Sequence, residues 1–151
     1  MKVYVDADAC PRPVREILYK ASERFQVELI LVANQIIQIP RSPNIRMLQV
    51  ARGFDEADNE IVRLIEANDL LISSDIPLAS DAIAKGATVL NSRGKIYSAE
   101  NIRQELAVRD LLSHLRDNQQ ISGGAPAYSN LDKSNFANAL DRLLTSGKNN
   151  K

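Results

Sequence analysis

Tryptophan is absent from the chain, histidine and cysteine each occur once, and aromatic residues fill 5% of the 151 positions. One cysteine excludes an internal disulfide framework and any zinc site built on cysteine. A single histidine, with no Gly-x-Ser-x-Gly, leaves a serine-hydrolase triad without its parts. The glycine signatures of dinucleotide and P-loop nucleotide binding are missing as well. Neither sign of charge is in excess: 19 Lys and Arg balance 19 Asp and Glu. Bulk positive charge therefore cannot carry nucleic-acid binding. Zero net charge with 44% apolar residues is also not the composition of a disordered chain. No apolar run approaches the roughly 20 residues that a spanning helix needs. The first residues lack the charged start and apolar stretch of a secretory leader. The expectation is a reduced, cytoplasmic protein with no membrane segment.

What is present reads as alternating strands and helices. Residues 3–5 form a short buried run that ends in acids. A helix opens at Pro11 or Pro13 and carries Val14, Ile17, Leu18, Ala21 and Phe25 at helical spacing. Residues 27–33 and 45–50 read as strands, with a proline-bearing loop over 35–43. Gly53 precedes a helix striped by Ile61, Leu64 and Ile65. Residues 70–72 make a fourth strand, 77–85 a short helix closed by Gly86, and 87–90 a fifth strand. A long helix is expected over 98–116, with Ser98 as N-cap and apolar positions at Ile102, Leu106, Leu111, Leu112 and Leu115. A Gly/Pro/Ser loop spans 122–130, and a last helix covers 132–144 with Phe136, Leu140, Leu143 and Leu144 inward. One domain over 1–145 is expected, with 146–151 a disordered polar tail. This alternation implies right-handed crossovers and an α/β fold, a three-layer α/β/α sandwich with a mainly parallel sheet. In such sheets ligands bind beyond the carboxyl ends of the strands.

Aspartates stand at those ends. Asp6 and Asp8 follow the first strand, Asp55 and Asp58 the third, and Asp75 the fourth. Converging carboxylates repel one another unless a cation neutralises them. Oxygen-only ligands suit Mg²⁺ or Mn²⁺, and such a set is the composition expected for metal-dependent phosphodiester hydrolysis. Each acid also has a plain structural use. Asp55 and Asp58 fit an N-cap and third helical position, Asp75 fits a cap, and Asp81 fits a solvated face. Arg12, Arg52, Arg93 and Lys95 also follow strands, where they face the same edge and can meet phosphates or remain solvated. Cys10 reads as a small packed residue, and His114 as structural or solvated.

Four segments carry a resemblance. They are Val5-Asp6-Ala7-Asp8-Ala9-Cys10-Pro11, Arg52-Gly53-Phe54-Asp55-Glu56-Ala57-Asp58, Ser74-Asp75-Ile76-Pro77-Leu78-Ala79 and Phe136-Ala137-Asn138-Ala139-Leu140-Asp141. Over residues 1–144 the chain resembles the bacterial YaiI/YqxD family, which has no settled reaction. More distantly it is similar to the PIN-like nucleases, especially the NYN branch. Asp6, Asp55 after Arg52-Gly53, and Asp75 after Ser74 match that branch's acids in order. The resemblance implies a PIN-like fold and RNA cleavage, with RNA favoured over DNA. Asp6, Asp55 and Asp75 would then be catalytic. Asp6, Asp8, Asp55, Asp58 and Asp75 would be available to Mg²⁺ or Mn²⁺. Pro77 stands where the nuclease branch commonly carries a further acid, and the late loop 123–128 departs from the usual family pattern. Two alternatives remain open. Asp6-Ala7-Asp8 resembles the nucleophile motif of haloacid-dehalogenase-like phosphatases, and a catalytically inactive PIN-like module would bind RNA or a protein.

Overall fold

The structure, a computed structural model, describes residues 1–53, 55–122, 124 and 126–149. Phe54 and two positions of the late loop, Gly123 and Ala125, lie outside the described residues. So do the last two residues of the polar tail, 150–151.

Strand β1 (Lys2–Asp6) lies in the middle of the sheet. Helix α1 (Arg12–Phe25) follows, with a proline in its first turn. Then come β2 (Glu28–Ala33) and β3 (Ile45–Gln49), helix α2 (Glu56–Leu64) and β4 (Leu70–Ile72). Helix α3 (Ile76–Ala84) leads to β5 (Thr88–Leu90) and the two-residue β6 (Ile96–Tyr97). Helices α4 (Ile102–Asp117) and α5 (Asn130–Asn149) complete the chain. The six strands are ordered β3-β2-β1-β4-β5-β6. All pairings are parallel except β5 with β6, where Val89 opposes Tyr97.

The strands are apolar almost throughout because both faces are covered. Successive side chains point to opposite faces, so each strand feeds two cores. Val3, Val5, Leu29, Leu31, Leu70, Ile72 and Leu90 pack beneath α1 and α5, which contribute Val14, Leu18, Phe136 and Leu140. Tyr4, Ile30, Val32, Leu71 and Val89 pack beneath Ile61 of α2, Leu78 of α3 and Ile102 of α4. The fold is a three-layer α/β/α sandwich. Among the described residues no helix is long and apolar enough to cross a membrane.

The structure departs from the sequence reading in three places. β6 lies between residues 90 and 98, where the sequence suggested no element. Helix α4 starts at Ile102, not Ser98, because Asn101 ties residues 96–101 into a turn. Its Oδ1 accepts from the Ser98 N–H at 2.9 Å and its Nδ2 donates to the Ile96 carbonyl at 2.9 Å. The last helix begins at Asn130 and runs to Asn149, past the expected end at Leu144 and into the segment read as a tail.

Candidate active site at the sheet edge

The strand order reverses direction at β1 and β4, whose carboxyl ends therefore open between diverging crossovers. Parallel register pairs Val5 with Ile72, which leaves Asp6 beside Ser73. The Ser73 hydroxyl donates to Asp6 Oδ2 at 3.1 Å and accepts from the Asp75 backbone N–H at 3.0 Å. One buried hydroxyl thus joins the ends of both central strands. The sequence reading singled out the neighbouring Ser74. Its hydroxyl instead lies 3.2 Å from that of Ser92, away from Asp6's hydrogen bond. The sequence does not separate Ser73 from Ser74; the register of the two parallel strands is what sets Ser73 level with Asp6.

Asp75 caps α3, its Oδ1 accepting the Leu78 N–H at 3.1 Å. The capping reading is correct, and the cap occupies one of the two carboxylate oxygens. Asp55 stands at the N-cap position of α2 but makes no capping hydrogen bond with its side chain. Its backbone is left-handed, at φ 65°, a conformation in which Asp is enriched among non-glycine residues. Asp58, one turn into α2, is half-buried and turns toward the same edge.

These acids act on one another. Asp58 is pushed up to about 6, first by burial, then by the negative charges of Asp75, Asp6 and Asp55, and by a hydrogen bond with Asp75 when it holds a proton. Burial raises Asp6 above the ordinary carboxylate range, and the charges of Asp75 and Asp8 add to it, against the opposing hydrogen bond from Ser73. Asp8 is exposed in the short 3-10 turn Ala7–Ala9, where its Oδ2 accepts the Asn34 N–H at 2.8 Å. Carboxylates from β1, from the start of α2 and from the cap of α3 therefore share one electrostatic environment. Among the described residues, no three His, Cys, Asp or Glu side chains already stand as a ready-made cage for a metal ion. A cavity of about 10 Å³ lies beside Asp6, Cys10, Ser73 and Ser92, room for at most one water. Asp8 and Asp55 are exposed, and Asp6, Asp58 and Asp75 are half-buried. Burial pushes the Cys10 thiol up to about 12, as suits the reading of a small packed residue. Asp81 and His114 are exposed on α3 and α4.

The four cations are dispersed. Arg12, the first residue of α1, lies 3.6 Å from Glu16, both largely exposed. Arg52 is exposed ahead of α2 and makes no ion pair among the described residues. Arg93 is occupied: it pairs with Asp132 at 2.7 Å, donates to the Pro126 carbonyl and lies 5.8 Å from the Tyr128 ring. Lys95 pairs with Glu105. Arg93 and Lys95 line an open groove of about 640 Å³ together with Asn135, Asn138 and Arg142 of α5. Arg12 borders a different groove, with Arg15 and Gln38.

Comparison with known proteins adds a family. Residues 4–146 match the model described as "Uncharacterized BCR, YaiI/YqxD family". A UPF0178 protein of Idiomarina loihiensis is 55% identical over 144 residues, covering 95% of this chain and 98% of the relative. A UPF0178 protein of Alkalilimnicola ehrlichii is 53% identical over 148 residues, covering 98% of this chain and 100% of the relative. Another, from Thioalkalivibrio sulfidiphilus, is 55% identical over 144 residues, with coverage of 95% and 98%. No solved structure matches the chain.

Proposed function

The chain belongs to the YaiI/YqxD family, and from the carboxylates at its sheet edge we propose that it hydrolyses phosphodiester bonds with the help of Mg²⁺ or Mn²⁺, RNA being the favoured substrate. One observation carries this reading: Asp58 is held up to about 6 by burial and by three neighbouring aspartates. A fold that keeps acids together against their repulsion has a use for positive charge at that point. The donor set fits a hard divalent cation, being all carboxylate. Mg²⁺ usually keeps several waters and takes only one or two carboxylates, so a closed protein cage is not required. Asp6 and Asp75 would hold the ion, and Asp58, Asp55 and Asp8, whose charges bear on the same cluster, would act on its waters. When bound, the ion would supply Lewis acidity toward a phosphoryl oxygen and toward water.

The protein's own part is positional. Ser73 fixes Asp6 and the start of α3 relative to each other. The Leu78 N–H fixes one oxygen of Asp75 and turns the carboxylate. The shallow, open site suits a polymer rather than an enclosed small molecule. Arg52, exposed and without an ion pair among the described residues, would meet its phosphates, whereas Arg12, Arg93 and Lys95 border other grooves. The similarity of Asp6, Asp55 and Asp75 to the acids of PIN-like nucleases supports the choice of RNA.

The test is cleavage of labelled single-stranded RNA by purified protein in Mn²⁺ or Mg²⁺, with EDTA and with Asp75→Asn. Cleavage is expected with the metal, loss with EDTA, and a fall in rate of about 100-fold or more for the variant, each 1.36 kcal/mol of lost transition-state stabilisation being tenfold. Asn caps a helix as well as Asp, so the variant should keep its fold. Melting with and without Mn²⁺ gives a second readout, the wild type gaining more stability than the variant. Absence of both cleavage and metal-dependent stabilisation would sink the proposal. Stabilisation without cleavage of any nucleic acid would move it to another phosphoester.

A further inference from the structure

Helix α4 has two apolar faces and buries one. Ile102 and Leu106, a turn apart, pack onto the core that α3 covers. Val108, Leu111, Leu112 and Leu115 follow at the spacing of a single stripe. At about 100° per residue that stripe lies about 150° around the helix from Ile102 and Leu106. Most of it faces water: Val108 is 45%, Leu111 57% and Leu112 39% exposed, Ile121 just past the helix is 36% exposed, and Leu115 is half-buried. Among the described residues α3 is the element that α4 chiefly packs against, and it meets the other face. A contiguous apolar patch of this kind on a protein surface marks a contact site.

The charges beside the stripe say what would cover it. Glu105 and Arg116 lie along the same flank, on either side of Leu111. A second α4 crossing antiparallel at Leu111 would set Glu105 of each copy against Arg116 of the other. A parallel copy, related by a two-fold axis along the helices, would place this flank of each copy on opposite sides of the seam, so Glu105 and Arg116 would not meet. The chain as a whole carries no net charge, so two copies approach without net repulsion. Glu105 already pairs with Lys95, and its carboxylate has acceptor sites left for a second donor.

We propose that α4 is the interface of a homodimer, two copies packing antiparallel through Val108, Leu111, Leu112 and Leu115. This is independent of any reaction at the acidic edge. Light scattering of the full chain at micromolar concentration is expected to give twice the 16.7 kDa mass. Leu111→Glu should give the monomer with an unchanged circular dichroism spectrum, since the residue touches little of its own core. Arg116→Glu should weaken the dimer, and adding Glu105→Arg to it should restore association. Leu111→Cys should form a covalent dimer on mild oxidation, since two copies of a residue beside a two-fold axis meet each other, while half-buried Cys10 stays unreactive. A wild type that remains monomeric, or that floats with anionic vesicles instead of pairing, overturns the proposal. So does a dimer that persists through Leu111→Glu, or that Leu111→Cys fails to cross-link.

Discussion

Asp58 carries the sharpest consequence at the level of single side chains. The native state holds its proton more tightly than the unfolded chain does, because its folded value is about 6 against about 3.9 for an ordinary aspartate. Stability from this group is therefore fully present below about pH 4, declines as pH rises through about 6, and stays lowered above that. Asp58→Asn removes the decline. Much of the residue faces solvent, so after screening the gain near neutral pH should be about 1 kcal/mol. Melting temperatures of wild type and variant across pH would show it: the curves should converge in acid and separate toward neutrality. Equal separation at all pH values would mean that charge is not the cause. The acids themselves were visible in the sequence, because strand ends can be placed from apolar runs. Ser73 was not singled out, because a serine in a Ser-Ser pair gives no clue to which hydroxyl turns inward until the strands are in register.

At the scale of elements, the turn after β5 is pinned to α5. Gly94 has φ +93°, and a Cβ there would stand 2.7 Å from the backbone carbon and oxygen of Asn135. Arg93, tied to Asp132 and Pro126, fastens the same junction from the next position. Gly94→Ala should cost about 2 kcal/mol or more, from backbone strain and the collision together. Chemical denaturation measures it, and a near-neutral result would show that α5 shifts away freely. The long helices could be read from their periodicity and the strands β1, β2 and β4 from their short apolar runs. β6 could not, since two residues carry no period, and its pairing is fixed by β5 and by the Asn101 turn. The same limit applies to α4. Leu111, Leu112 and Leu115 have the spacing of core residues, and only packing reveals that their face has no core of its own to meet.

For the molecule as a whole, the sheet is the load shared by two cores, and α5 closes one of them. Phe136 is fully buried against the β1 face with Leu140 and Leu144. Phe136→Ala should cost about 3–5 kcal/mol, a large part of the total of about 5–15 kcal/mol for such a domain. A urea midpoint shifted by less than a third of that would mean the helix is only a lid over an already closed core. The arrangement also bears on how the protein comes off the ribosome. Strand β1 occupies the centre of the sheet, between β2 and β4, and one of its faces is covered by α1 together with α5, which is translated more than 100 residues later. An emerging chain can pair β1 with β2 and lay Val14 and Leu18 of α1 over Val3 and Val5 early, yet this core is complete only when residues 136–144 have left the exit tunnel. The core that α1 begins thus waits for α5 to close it, and until then the half-covered central strand is open to association with other chains.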